Sequence, residues 1–209
     1  MKNLKGKANR TIGKGNPFND IELVLRSARK CFEQYGVERT RLADVAKLAG
    51  ISRPLLYKLF DGREGLLDAS INFELQRLIQ HQQIKMKKQS GFKEVLYEGI
   101  ISGIQLARKD KVLMELLEHS AAEHISSFLL DQSTVAHQLV LSHWKAFFEE
   151  SRKNGELKAE ISNDDLMEWI MIIQHNFLLR TNIEGKRIRE LLDLFFYPTL
   201  DPFYTYKKS

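Results

Sequence analysis

The sequence is poor in the residues that build disulfide frameworks, metal clusters and membrane spans. Its 209 residues include one cysteine, Cys31, which excludes an internal disulfide framework and a cysteine-rich zinc site and is typical of a reducing compartment. The densest apolar stretch, residues 169–173, is far shorter than the roughly 18 residues needed to cross a bilayer. The N-terminus is polar and rich in lysine, which argues against a secretory signal. We therefore expect a cytoplasmic chain with no membrane partner.

Signals for β-strands and for catalysis are also missing. Period-two alternation bounded by turn dipeptides is essentially absent, and the chain has only four prolines. No nucleophile elbow, phosphate-binding loop or dinucleotide fingerprint occurs. The six histidines include no pair at i, i+4, the spacing that places two imidazoles on one helical face. The sequence thus predicts neither catalytic residues, nor a cofactor, nor a metal site.

The positive charge of the chain is concentrated in its first third. Residues 1–63 contain 14 Lys and Arg against 6 Asp and Glu, a balance of +8, whereas the remaining residues have a balance of −3. A basic block on an otherwise near-neutral protein is typical of a module that binds a polyanion. Charge alone is equally compatible with a solvated, solubilising face.

Apolar residues recur at helical spacing through most of the chain. The sequence therefore predicts an all-α fold with a flexible basic arm (1–17), a three-helix N-terminal domain (18–63) and a larger helical domain (64–209). The helices expected in the larger domain cover approximately residues 64–88, 92–109, 112–119, 123–131, 133–154, 164–181 and 186–196.

Residues 40–60 have the spacing of a helix-turn-helix. Two short helical patterns meet at Gly50, which accepts the left-handed backbone conformation that a three-residue turn needs. Ala46 is small, as required where two helices cross closely, and Ile51 and Leu56 are expected to fill the angle between the helices. Ser52 is placed to cap the second of these helices.

The second helix of this motif is expected to turn cationic and aromatic side chains outward. With Leu56 and Phe60 facing inward, Arg53, Tyr57 and Lys58 face solvent. A helix with such an exposed face and an accessible N-terminus is suited to enter the major groove of DNA.

The motif resembles the DNA-binding region of the TetR family of transcriptional regulators. The resemblance covers about residues 18–70, and beyond them it rests on total length and an all-helical body. The residues that carry it are Gly36, Thr40, Val45, Ala46, Ala49, Gly50, Ile51, Ser52, Leu56, Tyr57, Phe60, Arg63, Glu64, Leu66 and Leu67.

The resemblance implies contacts to the DNA backbone. A tyrosine at the position of Tyr57 binds phosphate in such proteins, as do hydroxyls at the positions of Thr40 and Ser52. The family commonly has lysine where this chain has Arg63, and either cation is suited to a phosphate.

The resemblance also implies that the third helix reads bases, with Arg53 and Lys58 on the reading face. Two departures affect that reading. Arg41 occupies a position often held by Ser or Thr, so a helix cap is weakened and a cationic contact is gained. Pro54, which is also expected to face outward, and Leu55 replace a small or polar pair, so Leu55 is expected to meet a thymine methyl where that pair would form a hydrogen bond.

Four cations of the N-terminal arm have two open interpretations. They either follow a minor groove of the DNA or make no contact with it. These cations are Lys5, Lys7, Arg10 and Lys14.

The larger domain is rich in bulky apolar residues, most of which are expected to fill a core or a dimer interface. In TetR-like regulators this body usually encloses a ligand cavity, and the mixture of aromatics with Met and His here is compatible with an apolar effector. The residues expected to line the cavity are Leu117, Phe128, Trp144, Phe148 and His175. The last two long helices correspond to the pair that forms a four-helix bundle in family dimers.

The function that the resemblance implies is a homodimeric, sequence-specific DNA-binding regulator. It would bind a pseudo-palindromic operator as a repressor and be released by a small apolar effector that pivots the helix predicted at residues 64–88. The alternative is a constitutive regulator without an effector, which would have a body packed solid. An all-helical enzyme lacks a convergent set of titratable groups, and membrane-surface binding is disfavoured because the basic segment is not one long amphipathic helix.

Overall fold

The computed structural model describes residues 17–121 and 134–202. Residues 1–16 of the predicted basic arm, the predicted helix at 123–131 and the predicted cavity residue Phe128 lie outside the described residues. Within the described ranges the regular structure is helical and contains no strand, which confirms the predicted fold class. The chain divides into two compact units between Ser70 and Ile71, inside the fourth helix.

The N-terminal unit contains α1 (Pro17–Tyr35), α2 (Leu42–Ala49), α3 (Arg53–Phe60) and the first residues of α4 (Gly62–Met86). Apolar residues spaced three and four apart along α1 are buried, as the helical period requires. The core of this unit includes Val24, Ala28, Phe32, Val45, Leu56 and Phe60.

The turn between α2 and α3 has the geometry that the sequence predicts. Gly50 has φ 72° and ψ 26°, in the left-handed region, and its N–H donates toward the end of α2. The N–H of Ile51 donates to the carbonyl of Ala46 at 3.0 Å. Ala46 is 1 % exposed and Leu56 is fully buried, so a small side chain and a large apolar side chain are both buried where α2 and α3 pack.

Among the described residues, the C-terminal unit contains the rest of α4 and six further α-helices. They are α5 (Phe92–Lys109), α6 (Lys111–Ala121), α7 (Val135–Lys153), α8 (Asn163–Leu179), α9 (Gly185–Leu191) and α10 (Tyr197–Leu200). Thr134 and Ser162 cap α7 and α8 by accepting hydrogen bonds from backbone N–H groups three residues later.

The last predicted helix, 186–196, is interrupted. A π-helical turn, Leu192–Phe196, separates α9 from α10, and the N–H of Tyr197 donates to the carbonyl of Leu192, five residues earlier. Pro198 follows at once; it has no N–H and its ring crowds the carbonyl four residues before it, so a wider turn relieves the clash. The spacing of apolar residues does not change at the π-helical turn, so the sequence pattern predicts one continuous helix.

Arg108 secures the end of α8. From α5 its guanidinium donates to the carbonyls of Phe177, Arg180 (2.6 Å) and Ile183 (2.9 Å). These acceptors include carbonyls that the end of a helix leaves without an intrahelical donor. One arginine therefore joins α5 to α8 and to the segment before α9.

The core of the C-terminal unit is built around Trp144. Its ring stacks on Phe148 at 5.5 Å between centroids, and both side chains are fully buried. The indole lies directly against the backbone of α5, where a Cβ at Gly99 would stand 2.2 Å from the Cη2 atom of Trp144. The absence of a side chain at Gly99 is therefore a condition for this packing.

Candidate DNA-binding surface and internal cavity

The outward face of α3 carries cationic and aromatic side chains. Arg53 and Lys58 are exposed, and Tyr57 is 48 % exposed. Leu56 and Phe60 are buried in the N-terminal unit. The apolar face of this eight-residue helix anchors it in the unit, and its opposite face presents a guanidinium, an ammonium and a phenol to solvent. This arrangement is suited to binding in a major groove.

The N-terminus of α3 is capped and accessible. The Ser52 hydroxyl accepts a hydrogen bond from the N–H of Leu55 at 3.3 Å, and Pro54 occupies the first turn, where its missing N–H costs little. Both Ser52 and Pro54 are exposed. Arg41 stands at the N-cap of α2 without a side-chain capping bond and is exposed, so its charge remains available to a ligand.

Thr40 and Arg63 are turned toward the loop between α1 and α2. Thr40 is 3 % exposed, and its hydroxyl donates to the carbonyl of Gly36 at 2.7 Å. The guanidinium of Arg63 donates to the carbonyls of Thr40 (2.5 Å), Val37 (2.8 Å) and Glu38 (3.2 Å). Both side chains thus hold this loop in place through hydrogen bonds, a role that the sequence does not predict. Their phosphate contacts stay a prediction.

Replacing Arg63 by lysine separates these two roles. Lysine keeps the charge that a phosphate requires, but one ammonium does not reproduce the planar fork that spans three carbonyls. We expect Arg63→Lys to lower the free energy of unfolding by about 1–3 kcal/mol, measured by urea denaturation. The exposed Lys58→Ala change is the control and should leave stability unchanged. Native stability in Arg63→Lys would show that the three carbonyl contacts contribute little.

A partly open cavity of about 90 Å³ lies in the C-terminal unit, with walls from α4, α5, α6, α7 and α8. Its polar side chains are Gln82, Gln174 and His175, and the rest of its described lining is apolar and uncharged. The Nε2 amide of Gln82 donates to the carbonyl of Gly99, and that of Gln174 to the carbonyl of Ile100 at 3.2 Å. The Nδ1 atom of His175 is buried and has no hydrogen-bond partner among the described residues.

Three of the five residues expected to line the cavity do so, namely Leu117, Trp144 and His175. Phe148 does not, because its ring is stacked on Trp144 in the core, and Phe128 lies outside the described residues. The two glutamines of the lining, Gln82 and Gln174, were not predicted from the sequence. Their signal was a neutral polar residue among apolar helix positions, a pattern that is informative only once the facing helices are known.

Burial keeps His143, the neighbour of Trp144, from taking up a proton easily. Its Nδ1 atom lies 3.0 Å from Nε2 of Gln83, and burial lowers the pKa of His143 from 6.5 to about 4. The folded state therefore favours the neutral ring of His143. The chain has its full stability only at pH values above the pKa that His143 has when the chain is unfolded.

The expected result is a loss of stability as the pH falls from about 6.5 towards 4, because the unfolded chain binds a proton that the folded chain does not. Urea unfolding at several pH values measures it. His143→Asn removes the titrating ring, so its stability should fall less steeply than that of the native chain in this window. Parallel curves for the two proteins would contradict the assignment.

A wide apolar groove lies on the surface formed by α8 and the π-helical turn, with a volume of about 810 Å³. Trp169 is 59 % exposed and Phe195 is 74 % exposed, and both line the groove. Leu194, also in the π-helical turn, is 62 % exposed. Exposed apolar surface of this kind marks an interaction site more often than a free surface.

A polar cluster holds the π-helical turn against α5. Lys93 pairs with Asp193 at 2.5 Å, Tyr97 donates its hydroxyl proton to Asp193 at 3.0 Å, and Arg189 pairs with Glu94 at 3.0 Å. The hydrogen bond from Lys93 is the main cause that lowers the pKa of Asp193, while burial raises the pKa of Tyr97. The carboxylate of Asp193 thus stays charged and orients the turn that carries Phe195.

Metal-binding clusters and membrane-spanning helices are both absent from residues 17–121 and 134–202. No group of three or more His, Cys, Asp or Glu side chains is placed to hold a metal ion there. Over the same ranges, none of the helices combines the length and apolar character needed to span a bilayer.

Sequence comparison relates the N-terminal unit to bacterial regulators. Residues 24–70 match the family model described as "Bacterial regulatory proteins, tetR family". The uncharacterized HTH-type transcriptional regulator YhgD of Bacillus subtilis is 23 % identical over 151 residues, which cover 72 % of this chain and 78 % of that protein. The uncharacterized regulator Rv2250c of Mycobacterium tuberculosis is 21 % identical over 136 residues, 65 % of this chain and 68 % of that protein.

Structural comparison extends the similarity of fold to both units. A TetR-family regulator from Pectobacterium atrosepticum superposes with a TM-score of 0.68 at 16 % identity, covering 90 % of this chain and 97 % of that one. The regulator FadR of Bacillus subtilis, in complex with stearoyl-CoA, has a TM-score of 0.55 at 17 % identity, with coverages of 82 % and 96 %. The helix-turn-helix region of this chain thus matches the TetR family model, and its all-helical fold is shared with a solved TetR-family regulator.

Proposed function

We propose that this chain is a homodimeric repressor that binds a pseudo-palindromic operator and is released from it by a small apolar effector. The observation that supports DNA binding most directly is the outward face of α3, where Arg53, Tyr57 and Lys58 are exposed while Leu56 and Phe60 anchor the helix. The basic balance of residues 1–63 supplies the long-range attraction to a polyanion.

The exposed residues of α3 divide into two roles in this proposal. Arg53, with Pro54 beside it, meets base edges in the major groove, whereas the phenol of Tyr57 and the hydroxyl of Ser52 bind phosphate. Arg41 adds a phosphate contact at the start of α2. Thr40 and Arg63 support these contacts by holding the loop before α2, and Lys58 extends the cationic face.

Replacing Arg53 and Tyr57 separates base reading from backbone binding. Arg53→Ala should cost about 1–3 kcal/mol on the specific duplex and little on a random one, because a guanidinium discriminates guanine through its base edge. Tyr57→Phe should weaken binding about uniformly across sequences. Fluorescence anisotropy on both duplexes at several salt concentrations measures the difference. An equal loss on the two duplexes for Arg53→Ala contradicts base reading.

Dimer formation is assigned to the groove on α8 and the π-helical turn. The apolar side chains of Trp169, Leu194 and Phe195 have no partner of their own chain that removes them from solvent in the described structure. A second copy related by a two-fold axis would cover the same surface on each subunit. The two α3 helices would then meet two half-sites of one operator.

The effector is assigned to the cavity inside the C-terminal unit. One wall comes from α4, through Leu75, Ile79 and Gln82, and the same helix carries Arg63 near its start. A ligand that prefers one position of α4 would thereby change DNA binding, by no more than its difference in affinity for the two states. The second candidate, a constitutive regulator, is favoured only if nothing binds in this cavity.

Selection of bound fragments from genomic DNA tests the proposed function. Purified full-length protein should enrich fragments that share two inverted half-sites, and the chain with Arg53→Ala, Tyr57→Phe and Lys58→Ala together should enrich none of them. Enrichment without inverted symmetry would contradict a two-fold dimer on the DNA. Absence of any enrichment would contradict sequence-specific binding.

A further inference from the structure

We propose that Gln82 is a positioning residue, which fixes α4 against α5 and so holds the chain in the conformation that binds its operator. The inference rests on the proposed function, in which the position of α4 determines DNA binding, and it names the contact that sets this position. Gln82 is assigned no contact with DNA or with an effector. It acts through α4, the helix that begins in the N-terminal unit and continues into the C-terminal unit.

Gln82 occupies a core position of α4. It lies in the buried apolar stripe of this helix, three residues after Ile79 and four before Met86, and its side chain is 3 % exposed. Glutamine is mostly found on protein surfaces, and burial of its amide is unfavourable unless the amide is hydrogen-bonded. A single polar residue at a core position of a helix is known to fix the register of that helix against its neighbour.

The amide of Gln82 bridges α4 and the backbone of α5. Its Nε2 atom donates to the carbonyl of Gly99. Gly99 lies inside α5, where the helix itself supplies an N–H donor to each carbonyl, so Gln82 uses the second lone pair of this oxygen. A substitution that removes the amide therefore leaves no carbonyl of α5 unpaired, and its effect is confined to the link between the two helices.

A second glutamine makes the same kind of contact from another helix. The Nε2 atom of Gln174, on α8, donates to the carbonyl of Ile100 at 3.2 Å. The two amides converge at Gly103, where a Cβ would stand 2.7 Å from Nε2 of Gln174 and 3.0 Å from Nε2 of Gln82. The pair thus joins α4 and α8 to one stretch of α5, but only Gln82 belongs to the helix that begins in the DNA-binding unit.

The hydrogen bond supplies a direction that the apolar contacts of α4 lack. Hydrophobic contact is non-directional, so it favours burial of the stripe without selecting one register. A hydrogen bond weakens steeply as its angle and distance depart from the optimum. A shift of α4 that separates Gln82 from the carbonyl of Gly99 would leave a buried amide without its acceptor. Gln82 thereby selects one position of α4.

Gln82→Met and Gln174→Met test this role as a matched pair. Methionine is unbranched and flexible, so it fills similar space and removes only the amide. Each variant loses one hydrogen bond to α5, and both should lose stability to urea to a comparable extent. Only Gln82→Met should also bind the operator more weakly, by about tenfold, the effect of one buried hydrogen bond. Fluorescence anisotropy on one operator duplex measures the affinities, and circular dichroism checks that both variants are folded.

The comparison separates positioning from stability. Native operator affinity in Gln82→Met would overturn the proposal, and so would an equal loss of affinity in Gln174→Met, because reduced stability would then explain both. Tighter operator binding by Gln82→Met would overturn it as well, since the contact would then favour a conformation that releases DNA. Gln82→Leu also lacks the amide and gives the same measurement if Gln82→Met does not fold.

Hydrogen exchange on the free chain supplies a readout that needs no DNA. Backbone amides of residues 71–86 should exchange faster in Gln82→Met than in Gln174→Met, because α4 has lost its link to α5. Equal exchange in the two variants would overturn the link. The proposed function is tested separately: a native chain that binds no operator would contradict both proposals, whereas an operator bound equally by the native chain and Gln82→Met would contradict this inference alone.

Discussion

A Phe195→Asp variant is expected to be monomeric and to bind its operator at least about a hundredfold more weakly than the native chain. Phe195 is 74 % exposed in the groove that it shares with Trp169, and the proposed two-fold dimer would bury it on both subunits. An aspartate there would place a charge in an apolar interface twice per dimer. Since each subunit carries one α3, loss of the dimer also removes the second half-site contact.

Sedimentation at several protein concentrations and anisotropy on one operator duplex measure the two effects. Ile84→Asp is the matched control, because Ile84 is a similarly exposed apolar residue, 59 %, that does not line the groove. It should remain a dimer with native affinity. The proposed interface would be contradicted if Phe195→Asp sedimented as a dimer. A monomer that kept native operator affinity would instead contradict the need for two half-sites.

The second large effect is expected at Gly99. Alanine is a better helix former than glycine by about 1 kcal/mol, so a Gly→Ala change inside α5 should stabilise the helix when considered alone. Here the added Cβ would stand 2.2 Å from Cη2 of Trp144, whose ring is fully buried and stacked on Phe148. The ring would have to move within a packed core, and we expect Gly99→Ala to lower the free energy of unfolding by about 1–3 kcal/mol.

Gly103→Ala is the matched control, since it lies one turn further along α5 and has the same gain in helix propensity. Its added Cβ would meet the amide nitrogens of Gln174 at 2.7 Å and Gln82 at 3.0 Å, which are the ends of flexible side chains. Urea denaturation should therefore show a smaller loss than for Gly99→Ala. If the two losses were equal, close packing of Trp144 would not be the cause.

Fluorescence gives an independent measure of the same displacement. Trp144 and Trp169 are the two tryptophans of the chain, and Trp169 is already exposed. In a Trp169→Phe background the emission reports Trp144 alone, and Gly99→Ala should shift it to longer wavelength as the indole leaves its buried site.

How far the sequence predicts this protein depends on how local each interaction is. The helix-turn-helix was predictable because Ala46, Gly50 and Leu56 act within a few residues of one another and each position tolerates few residue types. The interrupted final helix was not, since the apolar pattern runs unchanged through the π-helical turn while Pro198 alters the hydrogen bonding. The cavity was predicted in part, because size and polarity suggest lining residues but do not say which way they turn.

The sequence by itself determined the all-helical class, the basic N-terminal unit and the outward face of α3, because short-range spacing and charge specify them. Only the tertiary structure decided that the guanidinium of Arg63 reaches carbonyls 23 to 26 residues earlier in the chain. Likewise it alone placed Gln82, Gln174 and His175 around one small space. The physical reason is that these contacts join distant segments, whose meeting depends on how all the helices pack together and not on any local pattern.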